Sequence, residues 1–253
     1  MMLSRSLSMS FFIAVVFLFS SCSGSEKKTG TDTASSDTTT TTTTATAATT
    51  ESVAPSTIVT SPQVMLLVKH KVANFTKWKP SYDAHDSMRL ANGIHSYVIG
   101  RGVQDSNMVF VVTKADDAVK AKAFAQSPSL KAAMQKSGVA GKPSISFENV
   151  VWQDTAILNP NTIRSLTTFT VKDWDTWQAK FKEGKQERID NGIADRVYGH
   201  EVDDNKKVML VTAIMDSAKA AAYWKSDMLK QRRAAGGVIG VPDRFLFRVV
   251  QRY

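Results

Sequence analysis

The chain has one cysteine in 253 residues, Cys22, which excludes an intramolecular disulfide and any cysteine-built metal site. It lacks an apolar run long enough for a membrane helix: Phe11 to Phe19 is followed at once by Ser20, against the roughly 20 apolar residues a bilayer requires. There is no nucleotide-binding glycine loop, no Gly-x-Ser-x-Gly elbow, no Cys–His nucleophile pair and no His-Glu-x-x-His zinc helix. Several large enzyme classes are thereby removed. Carboxylates are the scarcer charge, with 23 Asp and Glu against 32 Lys and Arg and a net charge of +9. That balance suits an anionic partner. The lysines, however, are scattered beside alanines, with no basic run interleaved with aromatics, so a solvated basic surface and no nucleic-acid partner are expected.

What the chain does contain is the same unit twice. Trp78 and Trp177, Arg89 and Arg188, Asn92-Gly93-Ile94 and Asn191-Gly192-Ile193, Gly100 and Gly199, Asp117 and Asp216, Gly138-Val139 and Gly237-Val238, and Pro143 and Pro242 all lie 99 positions apart, without a gap. Two similar units in one chain can bury a face against each other as the subunits of a symmetric dimer do. The expectation is a pseudo-dimer within one chain, with any further oligomerisation left open.

The first 62 residues read differently. Met1 to Cys22 has a short basic start at Arg5, an apolar stretch and small serines before the cysteine, the pattern of a secretion signal. Leu18-Phe19-Ser20-Ser21-Cys22 resembles a bacterial lipobox, although a smaller aliphatic residue is usual where Phe19 stands. The alternative is an ordinary cleaved signal. Lipidation of Cys22, membrane attachment through that lipid, and an extracytoplasmic location at the outer membrane or periplasmic face are the expectations. Residues 23–62 are rich in Ser, Thr and Ala, with threonine throughout Thr38 to Thr44. They carry too little apolar area to offset the entropy of ordering, which predicts a disordered tether, or an O-glycosylated stalk.

Within residues 63–153, Val64 to Val72 reads as a strand. Asn74 caps a helix carrying Phe75, Trp78, Tyr82, His85 and Arg89 on one face and closing at Asn92-Gly93. Ile94–Gly102 and Met108–Lys114 are strands joined by a polar turn. A helix then opens at Asp116 or Asp117 and restarts at Ser127-Pro128, and a last strand runs from Ser144 to about Gln153. Residues 163–253 repeat the order after a connector at 154–162. Strand, helix, strand, strand, helix, strand is the ferredoxin-like arrangement, so the fold class is α+β. Leu67, Val109, Val111, Leu166, Val208 and Leu210 are expected to form the sheet face away from the helices and to pack repeat against repeat. The result is a single-chain barrel.

Val68 to Trp78, followed by Tyr82-Asp83-Ala84-His85 and Arg89, and further along Ala123 to Met134 and Gly138 to Pro143, resemble the cyclase-like proteins of the antibiotic-biosynthesis-monooxygenase type, within the dimeric α/β barrel superfamily. The resemblance covers residues 64–153 and, more loosely, 163–252. It implies the barrel fold. Relatives include metal-free oxygenases, haem-binding enzymes and isomerases, so it does not select a reaction. Whether the chain is an enzyme stays open. A cofactor-independent monooxygenase-like or isomerase-like reaction, without metal or other cofactor, is the catalytic version. A non-catalytic structural or interaction module of the cell envelope, its pocket filled by its own aromatics, is the alternative.

The candidate site lies in the first repeat. His70 sits mid-strand on the face of Val68 and Val72, while His85 and Arg89 share the helical stripe of Trp78 and Tyr82. A histidine and an arginine on an inward stripe need partners or a wet cavity. His70, His85 and Arg89 are therefore the candidate catalytic set, an imidazole acting as base and the arginine holding negative charge. Trp78, Tyr82 and Arg188 are candidate contacts for a small apolar or anionic ligand. The alternative is that His70 bonds locally, His85 borders solvent and Arg89 pairs with a carboxylate or the helix end. In the second repeat His70 and His85 are replaced by Phe169 and Gly184. Two histidines without a carboxylate make no convincing metal site. His95 and His200 are expected to be exposed at strand ends, and Arg244, Arg248 and Arg252, at alternate positions, to share one strand face, lining an anion-binding mouth or facing solvent.

Overall fold

The computed structural model describes residues 56–253, so the signal segment, Cys22 and most of the tether lie outside it. A short strand β1 (Ile58–Val59) precedes the first repeat. That repeat comprises β2 (Gln63–Val72), α1 (Phe75–Ala84), α2 (Asp86–Leu90), β3 (Ile94–Gly102), β4 (Met108–Ala115), α3 (Ala118–Ala125), α4 (Pro128–Lys136) and β5 (Val139–Asp154). The second comprises β6 (Ile163–Val171), α5 (Trp174–Glu183), α6 (Lys185–Asp190), β7 (Ile193–Glu201), β8 (Lys207–Ile214), α7 (Ser217–Lys225), α8 (Asp227–Ala235) and β9 (Val238–Arg252). None of the helices among the described residues is long and apolar enough to cross a membrane.

Capping accounts for the helix starts. The side chains of Asn74, Asp117, Ser127, Asp173, Asp216 and Ser226 each accept a backbone N–H of the following first turn. The helix expected between Asn74 and Asn92 is in fact two, broken at His85, and the second repeat breaks at the equivalent Gly184. The freed carbonyl of Tyr82 accepts from Arg89 Nη1 at 2.8 Å, and that of Phe181 accepts from Arg188 Nη1 at 2.8 Å. A guanidinium therefore holds each break.

All strand pairs are antiparallel, in the order β1-β5-β2-β4-β3-β9-β6-β8-β7, and β5 also pairs with β7, so β2 to β9 close on themselves. The two seams between repeats have one register: Gly100 faces Val249 where Gly199 faces Val150, and Arg101 faces Arg248 where His200 faces Asn149. The enclosed core contains Met65, Leu67, Val98, Phe110, Val112, Leu166, Met209, Val211 and Phe247. Val109 and Val111 pack instead under the first repeat's helices, and Val208 and Leu210 under the second's. Leu67 and Leu166 face the barrel as expected, whereas β4 and β8 are offset by one residue from the sequence expectation, a displacement that exchanges the two faces. Both faces are apolar there, and apolarity alone could not orient them. Ile58 and Val59, expected in the tether, belong to β1 and pair with Asp154 and Gln153, while Thr57 O accepts the Thr155 N–H at 2.8 Å.

The glycines at the seams are tested by adding one carbon. A Cβ on Gly199 would lie 2.2 Å from the Asn149 carbonyl oxygen, whereas one on Gly100 would meet the Phe247 ring at 2.5 Å. Backbone in a seam cannot turn aside as a side chain can. Gly199→Ala is expected to cost more than about 3 kcal/mol and Gly100→Ala about 1–3 kcal/mol. Urea unfolding of the two variants measures the difference, and equal losses would show that the β5–β7 seam is not the tight one.

Candidate functional site

β2 carries Leu66, Val68, His70 and Val72 towards α1–α4, and the gap between sheet and helices holds a cavity of ≈ 80 Å³. His70, Trp78, Tyr82, His85 and Arg89 all line it, so the structure brings together the first-repeat residues singled out in the sequence. Arg188 is not among them; it lines the equivalent space in the second repeat. Trp78 stacks on Tyr82 at 5.2 Å between ring centroids and lies 5.5 Å from the His70 ring. The remaining wall, including Ile94, Val111, Phe124 and Leu130, is apolar.

His70 is only 4 % exposed, and neither ring nitrogen has a hydrogen-bond partner among the described residues. The local bond entertained for it is not made. Burial pulls the imidazole down to about 4, so it is neutral at ordinary pH, with one N–H donor and one acceptor unused. Thr113 Oγ1, on the same cavity wall, is also buried without a partner. Nothing in the sequence distinguished this threonine, whose chemistry comes only from facing the cavity. His85 is half-buried and its Nδ1 lies 2.6 Å from the Ser81 carbonyl oxygen, while its Nε2 makes no hydrogen bond among the described residues.

Arg89 is already committed. Its Nη2 donates to Asp86 Oδ1 at 2.9 Å, its Nε to Ser96 Oγ at 3.1 Å and its Nη1 to Tyr82 O, while its guanidinium lies 3.8 Å from the Tyr82 ring centroid. Arg188 makes the same grip with a carboxylate in place of the serine: Nε and Nη2 donate to Asp195 at 2.7 and 2.6 Å, over the Phe181 ring at 3.6 Å. Both arginines hold a helix break onto the following strand.

In the second repeat the equivalent cavity, ≈ 100 Å³, has Phe169 in place of His70. Arg244 lines it, its guanidinium 3.9 Å from the Trp224 ring centroid and its Nε buried without a partner. Burial, with Arg233 adding repulsion, lowers Arg244 to about 10. Arg244, Arg248 and Arg252 do not share a face. β9 skips Val250 in its pairing with β3, a bulge that reverses the alternation, so Arg252, exposed at the strand end, lines the barrel cavity and Arg248, also exposed, does not. His95 is exposed and pairs with Asp116 at 3.0 Å. His200 is half-buried rather than exposed, with Trp174 edge-on at 4.7 Å. Among the described residues no three His, Cys, Asp or Glu groups are placed to hold a metal.

One buried acid stands apart. Glu148, on the barrel-facing side of β5, is 1 % exposed with Oε2 unpartnered, and burial raises it to about 7, with Glu201 across the seam adding repulsion. His70 and Glu148 therefore titrate against each other. The imidazole's contribution is complete above its unfolded value of 6.5 and falls as pH drops towards about 4. The carboxyl's is complete below 4.5 and is lost as pH rises through about 7. Each is worth about 3 kcal/mol. Between those limits the two offset one another in the wild type. His70→Phe should leave a stability that falls as pH rises from 4.5 to 7, and Glu148→Gln one that rises from 4 to 6.5, both read from urea midpoints. Parallel profiles for all three proteins would refute the assignment.

No protein-family model matches the chain, and no curated protein does. Solved structures do. An anthrone oxidase-like protein superposes with a TM-score of 0.52 at 12% identity, over 78% of this chain and 95% of its own. A provisionally assigned monooxygenase from Fusobacterium nucleatum gives 0.51 at 12% identity, over 76% and 94%. A provisionally assigned chlorite dismutase gives 0.50 at 15% identity, over 75% and 95%. At such identities the likeness speaks for fold, and with the closed strand order it places the chain in the ferredoxin-like dimeric α/β barrel fold.

Proposed function

We propose that the protein is a lipid-anchored, extracytoplasmic pseudo-dimer whose first repeat binds a small, largely apolar molecule bearing one hydroxyl or carbonyl group. The observation that carries this reading is His70: a neutral imidazole, buried beside a cavity, with both nitrogens unpaired. Leaving such a group unsatisfied costs about 1–3 kcal/mol, which a ligand's hydrogen bond would recover. Thr113 offers a second polar contact, and Trp78 and Tyr82 supply aromatic walls. His85 stands at the half-buried rim.

Binding is favoured over catalysis by the same side chain. A general base works best with a pKa near the working pH, and an imidazole that burial holds at about 4 is a weak one. Arg89, expected to hold developing charge, has each of its three guanidinium nitrogens bonded to a protein acceptor and serves to shape the pocket, as Arg188 shapes its counterpart. The structural-module reading required a pocket filled by its own aromatics, whereas Trp78 and Tyr82 stack on one another and leave the space beside His70.

Phenol is a suitable probe, an apolar disc with one hydroxyl. Calorimetric titration should give saturable binding and at least a tenfold loss of affinity in His70→Phe, which introduces the residue found at 169, and NMR should show a shift of the His70 ring resonances. Absent saturation, or equal affinity in the variant, would defeat the reading. The anchor has a separate test. Cys22→Ser should move the expressed protein from the membrane to the soluble fraction and abolish incorporation of labelled palmitate. Unchanged partitioning would defeat lipidation at Cys22.

A further inference from the structure

The barrel interior holds a second cavity, ≈ 70 Å³, on the opposite side of the sheet from the His70 pocket. Its lining pairs equivalent positions of the two repeats: Met65 with Arg164, Tyr97 with Arg196, and Gln153 with Arg252. It therefore sits on the axis relating the repeats, and one half of it is cationic.

The positive charge there is not matched. Arg164 is 4 % exposed, and among the described residues its guanidinium makes one hydrogen bond, from Nη1 to the Thr162 carbonyl at 3.2 Å. Arg196 is 5 % exposed and pairs with Asp154 at 2.6 Å. Arg252 reaches the cavity from its exposed position at the end of β9, and Lys114 Nζ stands 4.7 Å from the Tyr97 ring centroid. Three arginines thus share this lining with Asp154, its one carboxylate. Burial lowers Arg164 to about 10, Arg252 and Arg196 adding repulsion. A buried cation without a counter-charge is unfavourable by several kcal/mol unless something pairs with it. Arginine's planar fork suits an oxyanion with two oxygens. The rest of the cavity wall is largely apolar, with Met65, Phe110, Met209 and Phe247.

We propose that this cavity is a binding site for a small carboxylate, its head group held by Arg164 and Arg252 and its short apolar tail inside the barrel. The site is independent of the His70 pocket, and its test does not rest on that reading.

Butyrate is the probe, with butylammonium as the opposite charge and inorganic phosphate as the oxyanion without a tail, each titrated calorimetrically into the full-length protein. Butyrate should bind saturably, more weakly as salt is raised, with phosphate weaker and butylammonium silent. Arg164→Met and Arg252→Gln, which introduce the residues that the other repeat presents to the same cavity, should each weaken butyrate at least tenfold. Arg252 is exposed, so its variant keeps the test alive should Arg164→Met fold poorly. Arg244→Ile, at the second repeat's helix-side cavity, should change nothing. The proposal is overturned if butyrate does not bind, if phosphate binds more tightly, if both variants bind as the wild type does, or if Arg244→Ile is the change that removes binding.

Discussion

The pairing of β3 with β9 and of β5 with β7 is the constraint on which the rest of this structure depends. A four-stranded antiparallel sheet with helices on one face leaves the other face bare and presents edges that invite unwanted pairing. Closing two such sheets edge to edge removes both problems, because the edges satisfy one another and the bare faces become one core. The seams need close backbone approach, hence glycine at 100 and 199, where any side chain would meet Phe247 or the Asn149 carbonyl. Covalent linkage makes the closure intramolecular, so it needs no second chain.

On this symmetric frame the shared parts are mechanical and the differing parts are polar. Arg89 and Arg188 perform the same work, each bonding the carbonyl freed at a helix break and lying over an aromatic ring. The partner differs, serine in one repeat and aspartate in the other, without changing the geometry. His70 against Phe169 is different in kind. Phenylalanine asks nothing of its surroundings, whereas the buried imidazole asks for two hydrogen bonds and receives none. Retention of the arginine alongside loss of the histidine separates frame from site.

Much of this was legible in the sequence because it follows from local chemistry or from repetition. The caps at Asn74, Asp117, Asp173 and Asp216 and the repeat at 99 residues dictate element order and, with it, the fold. The convergence of His70, Trp78, Tyr82, His85 and Arg89 was legible too, since strand alternation and helical spacing each put residues on known faces. What failed were steps that count alternation across an irregularity or between two apolar faces. The skipped Val250 brought Arg252 to the barrel cavity, and the face of β4 could not be told from residues that are apolar on both sides. Thr113, Glu148 and Arg164 are ordinary residues in a sequence. Only their burial makes them informative, Thr113 and Glu148 with an unpartnered oxygen and Arg164 without a carboxylate, and burial is a property of the closed barrel.

Duplication also permits chemistry that a homodimer of this fold could not hold. In a homodimer every residue beside the two-fold axis appears twice, so arginines at the positions of 164, 196 and 252 would place six guanidiniums around one cavity of ≈ 70 Å³. Mutual repulsion in a poorly solvated space would oppose closure of the barrel itself. Once the halves are free to differ, Met65, Tyr97 and Gln153 occupy the second set of positions, and the cations share the cavity with a thioether, a phenol and an amide. The same freedom puts Glu148 where the other repeat has Phe247, so a single buried acid faces the barrel instead of a repelling pair. Three buried polar groups in the barrel or beside it, His70, Glu148 and Arg164, each stand opposite an apolar equivalent, Phe169, Phe247 and Met65. The apolar member stabilises the closed frame, and the polar member is thereby left free to be specialised.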